Sequence, residues 1–144
     1  MVDASVASRF LLVEDLSEEA EALLEDFIGG KVRLVAPRLI AYEVGNTLWK
    51  AAARGLIDLE ESLNRFQHFL SLRIDSIELS REGYARILSW SAENDMTFYD
   101  GAYVEAAAGS GATLLTADEH LYGASSKTVR AVRLKDYPSF SKRR

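Results

Sequence analysis

Four acidic residues stand at places in this chain where a carboxylate is worth explaining. Asp118 ends the apolar run "LLTA", Asp3 follows "MV", Asp100 opens "DGAYVEAA" and Glu43 lies inside "LIAYEVGNTL". Each aspartate has an ordinary reading, since Asp is a favoured helix N-cap and Asp3, Asp100 and Asp118 each precede or open a helical stretch. Glu43 needs no such role. It shares a helix face with Leu39, Asn46 and Lys50 beside the apolar stripe of Ile40, Val44 and Leu48, for which a solvated salt-bridge face is the ordinary reading. Were the four acids to meet, their repulsion would drive a proton onto at least one of them unless a cation intervened. An all-oxygen set without thiolate or imidazole suits Mg2+ or Mn2+. Such ions bind phosphate oxygens and lower the pKa of bound water, which is the chemistry of phosphodiester hydrolysis.

The elements that must position these acids alternate in type. "LSEEAEALLEDFIGG" reads as a helix with Ser17 as N-cap and Gly29 and Gly30 as its stop, followed by the strand "KVRLVAP". A helix from Arg38 to about Arg54 closes at Gly55. A second opens at Asp58, which with Glu61 resembles a capping box, and carries the stripe Leu59, Leu63, Phe66 and Leu70. These two helices should form a hairpin. "IDSIEL" reads as a strand, "SREGYARILSWSAEND" and "YDGAYVEAAAGSG" as helices, and "ATLLTAD" and "AVRL" as the last strands. Short strands separated by helices predict one α/β domain over residues 1–144, with a doubly wound parallel sheet of five strands between helical layers. Ligands in such sheets sit beyond the C-terminal strand ends, where Asp3 and Asp118 should lie and where the helices bearing Glu43 and Asp100 should begin.

With these residues in their order, the chain resembles a PIN-domain ribonuclease, most closely the VapC toxins of type II toxin–antitoxin pairs. The resemblance rests on "VDAS", "YEVGNTL", "FYDGAYVEAA" and "LLTAD", and spans the chain. It implies a three-layer α/β/α fold with strand order 3-2-1-4-5, and an acidic quartet of Asp3, Glu43, Asp100 and Asp118 that binds Mg2+ or Mn2+ and activates water. It gives Ser5, Thr116 and Asn46 supporting roles. It further implies a metal-dependent endoribonuclease acting on RNA, a homodimer, and inhibition by a VapB-like antitoxin. Only Met1 and Val2 precede Asp3, fewer apolar residues than the family's first strand usually carries.

Composition bounds these readings. At 144 residues the chain can bury roughly two thirds of its unfolded surface. The lack of cysteine excludes a disulfide framework and thiolate chemistry, so the expected compartment is the cytoplasm. No apolar run approaches the length of a membrane span, and the N-terminus lacks the pattern of a signal peptide. His68 and His120 are too far apart to form a local metal motif. A net charge of −5 opposes nucleic-acid binding by bulk electrostatics, but two divalent ions would nearly cancel it. Arg9, Arg38, Lys50, Arg54, Lys142, Arg143 and Arg144 are candidates for a local RNA-facing surface, and Leu56, Leu63, Phe66, Phe69 and Leu70 for contacts with protein partners. The alternatives are a PIN-like nuclease of RNA processing or decay without an antitoxin, and a non-catalytic flavodoxin-like signalling domain. A phospho-acceptor receiver would need a pair of acids after the first strand. "VDAS" supplies one, although Lys135 after "AVRL" suits that reading.

Overall fold

The computed structural model describes residues 1–143, so Arg144 lies outside the described residues. Its elements are α1 (Ala4–Ser8), α2 (Ser17–Ile28), β1 (Val35–Pro37), α3 (Leu39–Ala53), α4 (Leu59–Ser71), β2 (Asp75–Ile77) and α5 (Arg81–Asn94). They continue as α6 (Phe98–Ser110), β3 (Leu114–Thr116), α7 (Glu119–Ser125), β4 (Ala131–Arg133), a 3-10 turn (Leu134–Asp136) and α8 (Tyr137–Ser141).

Local chemistry sets most of the boundaries. Asp58 caps α4 by accepting from Glu61 N, Ser80 caps α5 by accepting from Gly83 N, and Thr97 and Asp100 form a reciprocal capping box on α6. Gly111, at φ +68°, ends α6 in the left-handed conformation that glycine adopts without a Cβ penalty. Ser17 is not the N-cap expected of it. Leu16 holds that position in a left-handed conformation, and the Ser17 hydroxyl instead donates to Glu14 O and accepts from Glu14 N.

The strands are short and parallel. β1 pairs with β2, and β3 pairs with β4. Between the pairs runs the N-terminal dipeptide. Val2 forms a parallel bridge with Leu115 and donates from its N–H to Val35 O at 3.0 Å, while Leu115 N donates to Met1 O at 2.8 Å. The first strand is therefore a single bridge, because Asp3 already caps α1. Met1, Val2, Val6, Leu23, Val44, Leu48, Tyr103, Leu114 and Leu134 all belong to the buried core. Small residues let α6 lie close to its neighbours: Gly101, Ala102, Ala106 and Ala107 are all buried on it.

The α3–α4 hairpin forms as expected and turns part of its apolar surface outward. α4 buries Ser62 and Phe69, whereas Leu59 (69%), Leu63 (54%) and Leu70 (46%) are exposed. Tyr42 and Trp49 on α3 and Leu56 in the turn are exposed as well. Phe69, named for partner contacts, is core, and its ring stacks on Phe66 with centroids 6.4 Å apart. An apolar groove of about 650 Å³ lies here, lined by Ile40, Tyr42, Gly45, Phe66, Phe69 and Leu70 among others.

Candidate metal centre

Asp3 is the innermost of the four acids, 4% exposed, because it sits between the N-terminal bridge and the first turn of α1. Its Oδ1 accepts from Ser5 Oγ at 2.6 Å and from Val6 N at 3.0 Å; its Oδ2 accepts from Thr116 Oγ1 at 2.5 Å. It is thus an N-cap, as the ordinary reading had it, but a cap tied to β3 as well. Ser5 and Thr116, the two hydroxyl residues given supporting roles from sequence, both donate to this carboxylate. Ser5 Oγ also accepts from Ala117 N at 2.9 Å and Thr116 Oγ1 from Asp118 N at 3.0 Å, so two hydroxyls connect the Asp3 carboxylate to the backbone that carries Asp118.

Asp118 caps α7, its Oδ1 accepting from His120 N at 2.8 Å and Leu121 N at 3.1 Å. Asp100 Oδ2 accepts from Thr97 Oγ1 at 2.6 Å and from Thr97 N at 3.3 Å. Glu43, in the second turn of α3, accepts at Oε1 from Tyr103 Oη at 2.7 Å. Hydrogen bonds therefore hold one oxygen of Glu43, Asp100 and Asp118, while Glu43 Oε2, Asp100 Oδ1 and Asp118 Oδ2 carry none among the described residues.

The electrostatics join the four into one set. Burial pushes the Asp3 carboxyl above the usual carboxylate range against the hydrogen bonds from Ser5, Thr116 and Val6, and the charge of Asp118 pushes it further. Burial likewise raises Glu43, which feels both Asp3 and Asp100. Each of the four is coupled to at least one other. They do not form a tight cage: among the described residues, no three acidic or imidazole side chains are grouped closely enough to hold an ion.

Asn46 is exposed on α3 and, among the described residues, hydrogen-bonds none of the four acids. Arg9 does not face outward for RNA. Its guanidinium donates to Ser5 O at 2.5 Å, Asp15 O at 2.8 Å and Asp15 Oδ1 at 2.6 Å, bracing the loop after α1. Arg38 is exposed and paired with Glu78 at 2.7 Å, and Lys50 and Arg54 are exposed at the far end of α3. Lys135 pairs with Glu119. Tyr103 was not among the residues singled out from sequence, although it stands one helical turn after Asp100 in "YDGAYVEAA" and so on the same side of α6.

The model for the PIN domain matches residues 1–126. The chain is 35% identical over 126 residues to "Ribonuclease VapC3" of Pyrobaculum aerophilum, covering 84% of this chain and 90% of that protein. It is 31% identical over 97 residues to "Exonuclease VapC9" of the same organism, covering 67% of this chain and 71% of that protein. The solved structure of PAE2754 from Pyrobaculum aerophilum superimposes with a TM-score of 0.72 at 26% identity, covering 99% of this chain and 96% of that one.

Proposed function

The chain belongs to the PIN-domain family as a VapC-like nuclease, and from that premise we propose that it is a metal-dependent endoribonuclease and the toxin of a VapBC-type pair. Asp3, Glu43, Asp100 and Asp118 hold Mg2+ or Mn2+. The observation that carries this reading is Asp3: a carboxylate buried beside like charges, whose hydrogen-bond partners Ser5, Val6 and Thr116 are all uncharged. A divalent ion supplies the missing countercharge. The donor set fits, being all oxygen, with one unengaged oxygen on each of three acids. Because no three of the acids are grouped closely among the described residues, an ion held here would keep several of its waters, as Mg2+ does. When bound, the ion supplies a water of lowered pKa and a site for phosphate oxygens. The protein's own part is to fix the carboxylates: Ser5 and Thr116 orient Asp3, and the capping box and the α7 cap orient Asp100 and Asp118.

The bridge at Val2 and its bond to Val35 support reading the two strand pairs and the N-terminal segment as one five-stranded sheet in the order β2, β1, N-terminal segment, β3, β4, which is 3-2-1-4-5 when the N-terminal segment counts as the first strand, within a single PIN-like domain over 1–144. The exposed apolar face of α3–α4 supports a partnered chain, as a homodimer and with a VapB-like antitoxin. No helix among the described residues is long and apolar enough to cross a membrane, in keeping with a cytoplasmic protein.

Manganese binding followed by paramagnetic resonance tests the centre without knowledge of the RNA. The wild type should bind, and Asp100→Asn should bind far more weakly; equal binding by both would remove the metal-site reading. Cutting of circularised RNA separates the endonuclease proposed here from action at chain ends, the activity in the name of VapC9. Sedimentation should give a dimer.

A further inference from the structure

Tyr103 is a buried phenol whose hydroxyl turns away from bulk water toward an acid. It is 2% exposed, and its Oη donates to Glu43 Oε1 at 2.7 Å across the packing of α6 on α3. A buried tyrosine hydroxyl needs a partner, and a carboxylate is the strongest acceptor available to it. A tyrosine hydroxyl is un-ionised at neutral pH, so it is the donor of this bond. One hydroxyl thus joins two segments of the site: α6, which carries Asp100, and α3, which carries Glu43.

Glu43 needs such a support more than the three aspartates do. Each aspartate is held by its own local turn through a cap or capping box, whereas Glu43 is mid-helix with a longer side chain and no backbone amide as donor. A glutamate repelled by Asp3 and Asp100 lowers its energy by swinging outward into water. A single bond to Oε1 opposes that movement and leaves Oε2 directed to other uses.

We propose that Tyr103 is a positioning residue that holds Glu43 in its metal-binding orientation, through the hydroxyl bond to Oε1. This rests on the metal-site reading above and adds to it a residue that touches neither ion nor RNA. Removing a supporting group of this kind typically lowers metal affinity by about 10–100-fold.

The test is a double-mutant cycle on the full chain, with Mn2+ affinity from paramagnetic resonance as its readout: wild type, Tyr103→Phe, Glu43→Gln and the double variant. Phe keeps the ring and its packing. Tyr103→Phe should weaken Mn2+ by about 10-fold or more, with apo thermal stability within a few degrees of wild type, and should add nothing in the Glu43→Gln background. Unchanged affinity in Tyr103→Phe, or full additivity with Glu43→Gln, would overturn the positioning role while leaving the metal site standing. Failure of the wild type to bind Mn2+ would overturn both. If Tyr103→Phe proves poorly folded, Tyr103→His takes its place in the cycle, and its loss of Mn2+ affinity must likewise vanish in the Glu43→Gln background for the role to hold.

Discussion

Two aspartates in this molecule each receive three hydrogen bonds, and their fates are opposite. Asp26 on α2 accepts from Lys31 Nζ at 2.8 Å, Tyr137 Oη at 2.9 Å and Ser141 Oγ at 2.8 Å, clasping α8 against α2. The Lys31 bond, followed by those of Ser141 and Tyr137, lowers its carboxyl to about 2. Asp3 accepts from Ser5, Val6 and Thr116, yet its carboxyl is raised. The number of bonds does not decide the difference. Asp26 is half-buried and has an ammonium beside it; Asp3 is buried, its partners are neutral, and Asp118 is its charged neighbour. A carboxylate tied to a lysine is a satisfied anchor, whereas one placed among other carboxylates is destabilised until something of opposite charge arrives.

The sharpest way to break this contrast is to neutralise both acids without changing their shape. Asp3→Asn should cost at least about 100-fold in RNA cleavage, beyond what loss of a merely supporting group typically costs. In the metal-free protein it should raise the thermal midpoint or leave it unchanged, because the repulsion goes. Asp26→Asn should do the reverse, lowering the midpoint by a few degrees while leaving cleavage intact. Parallel behaviour of the two variants in both assays would erase the distinction.

Gly101→Ala probes how closely Asp100 is held. A Cβ at position 101 would lie 2.5 Å from Ser91 Oγ and 3.0 Å from Ile87 Cγ2, and the contact with α5 has no room for it. Overpacking of this sort costs about 1–3 kcal/mol. Denaturant midpoints should fall accordingly, and Mn2+ affinity should fall with them if the close approach of α5 and α6 sets the position of Asp100.

Acidification sharpens the comparison further. The folded values of Asp3 and Glu43 are raised, so the folded protein binds more protons than the unfolded chain between the ordinary carboxylate range and those raised values. Metal-free stability from these two groups should therefore increase as pH falls through the raised values, and decrease again on return to neutrality. Asp26 runs the other way: its value is lowered to about 2 from 3.8, so its contribution is present above 3.8 and is lost as pH falls towards 2. Saturating Mg2+ should abolish the first effect and leave the second. Thermal melts over pH with and without the metal read both.

The smallest effect concerns Arg38. This residue is exposed and its pair with Glu78 is a surface one, so Arg38→Ala should barely alter stability. It should weaken RNA binding and reduce the slope of log affinity against log salt by about 1 if the guanidinium meets a phosphate.

Much of the site could be read along the chain, for a local reason. Asp3, Asp100 and Asp118 stand at helix starts, and helix starts follow from short-range signals such as a cap, a capping box or the end of an apolar run. Glu43 stood out by being an acid within a helix that needed none. The caps reading and the metal reading were rivals on paper; in the structure Asp3 and Asp118 are caps and Asp100 completes the capping box of Thr97, while Asp3 feels the charge of Asp118. Tyr103 escaped notice because a tyrosine in a small-residue helix is first of all core, and its pairing with Glu43 joins positions sixty residues apart. Leu63 and Leu70, read from sequence as candidates for protein contacts, are exposed, whereas the outward turn of Leu59 was not legible. Helical spacing identifies an apolar face but not the side from which a partner covers it.

What this sequence determined by itself was the alternation of its elements, most of their caps and which four acids to propose as a site, because these depend on neighbours a few residues away. Tertiary structure alone decided which carboxylate is buried, which hydroxyl supports which oxygen, and that Asp3 and Glu43 carry raised values. Those properties arise from desolvation and charge between residues distant in the chain, and they exist only once the N-terminal bridge, α3, α6 and β3 have packed together.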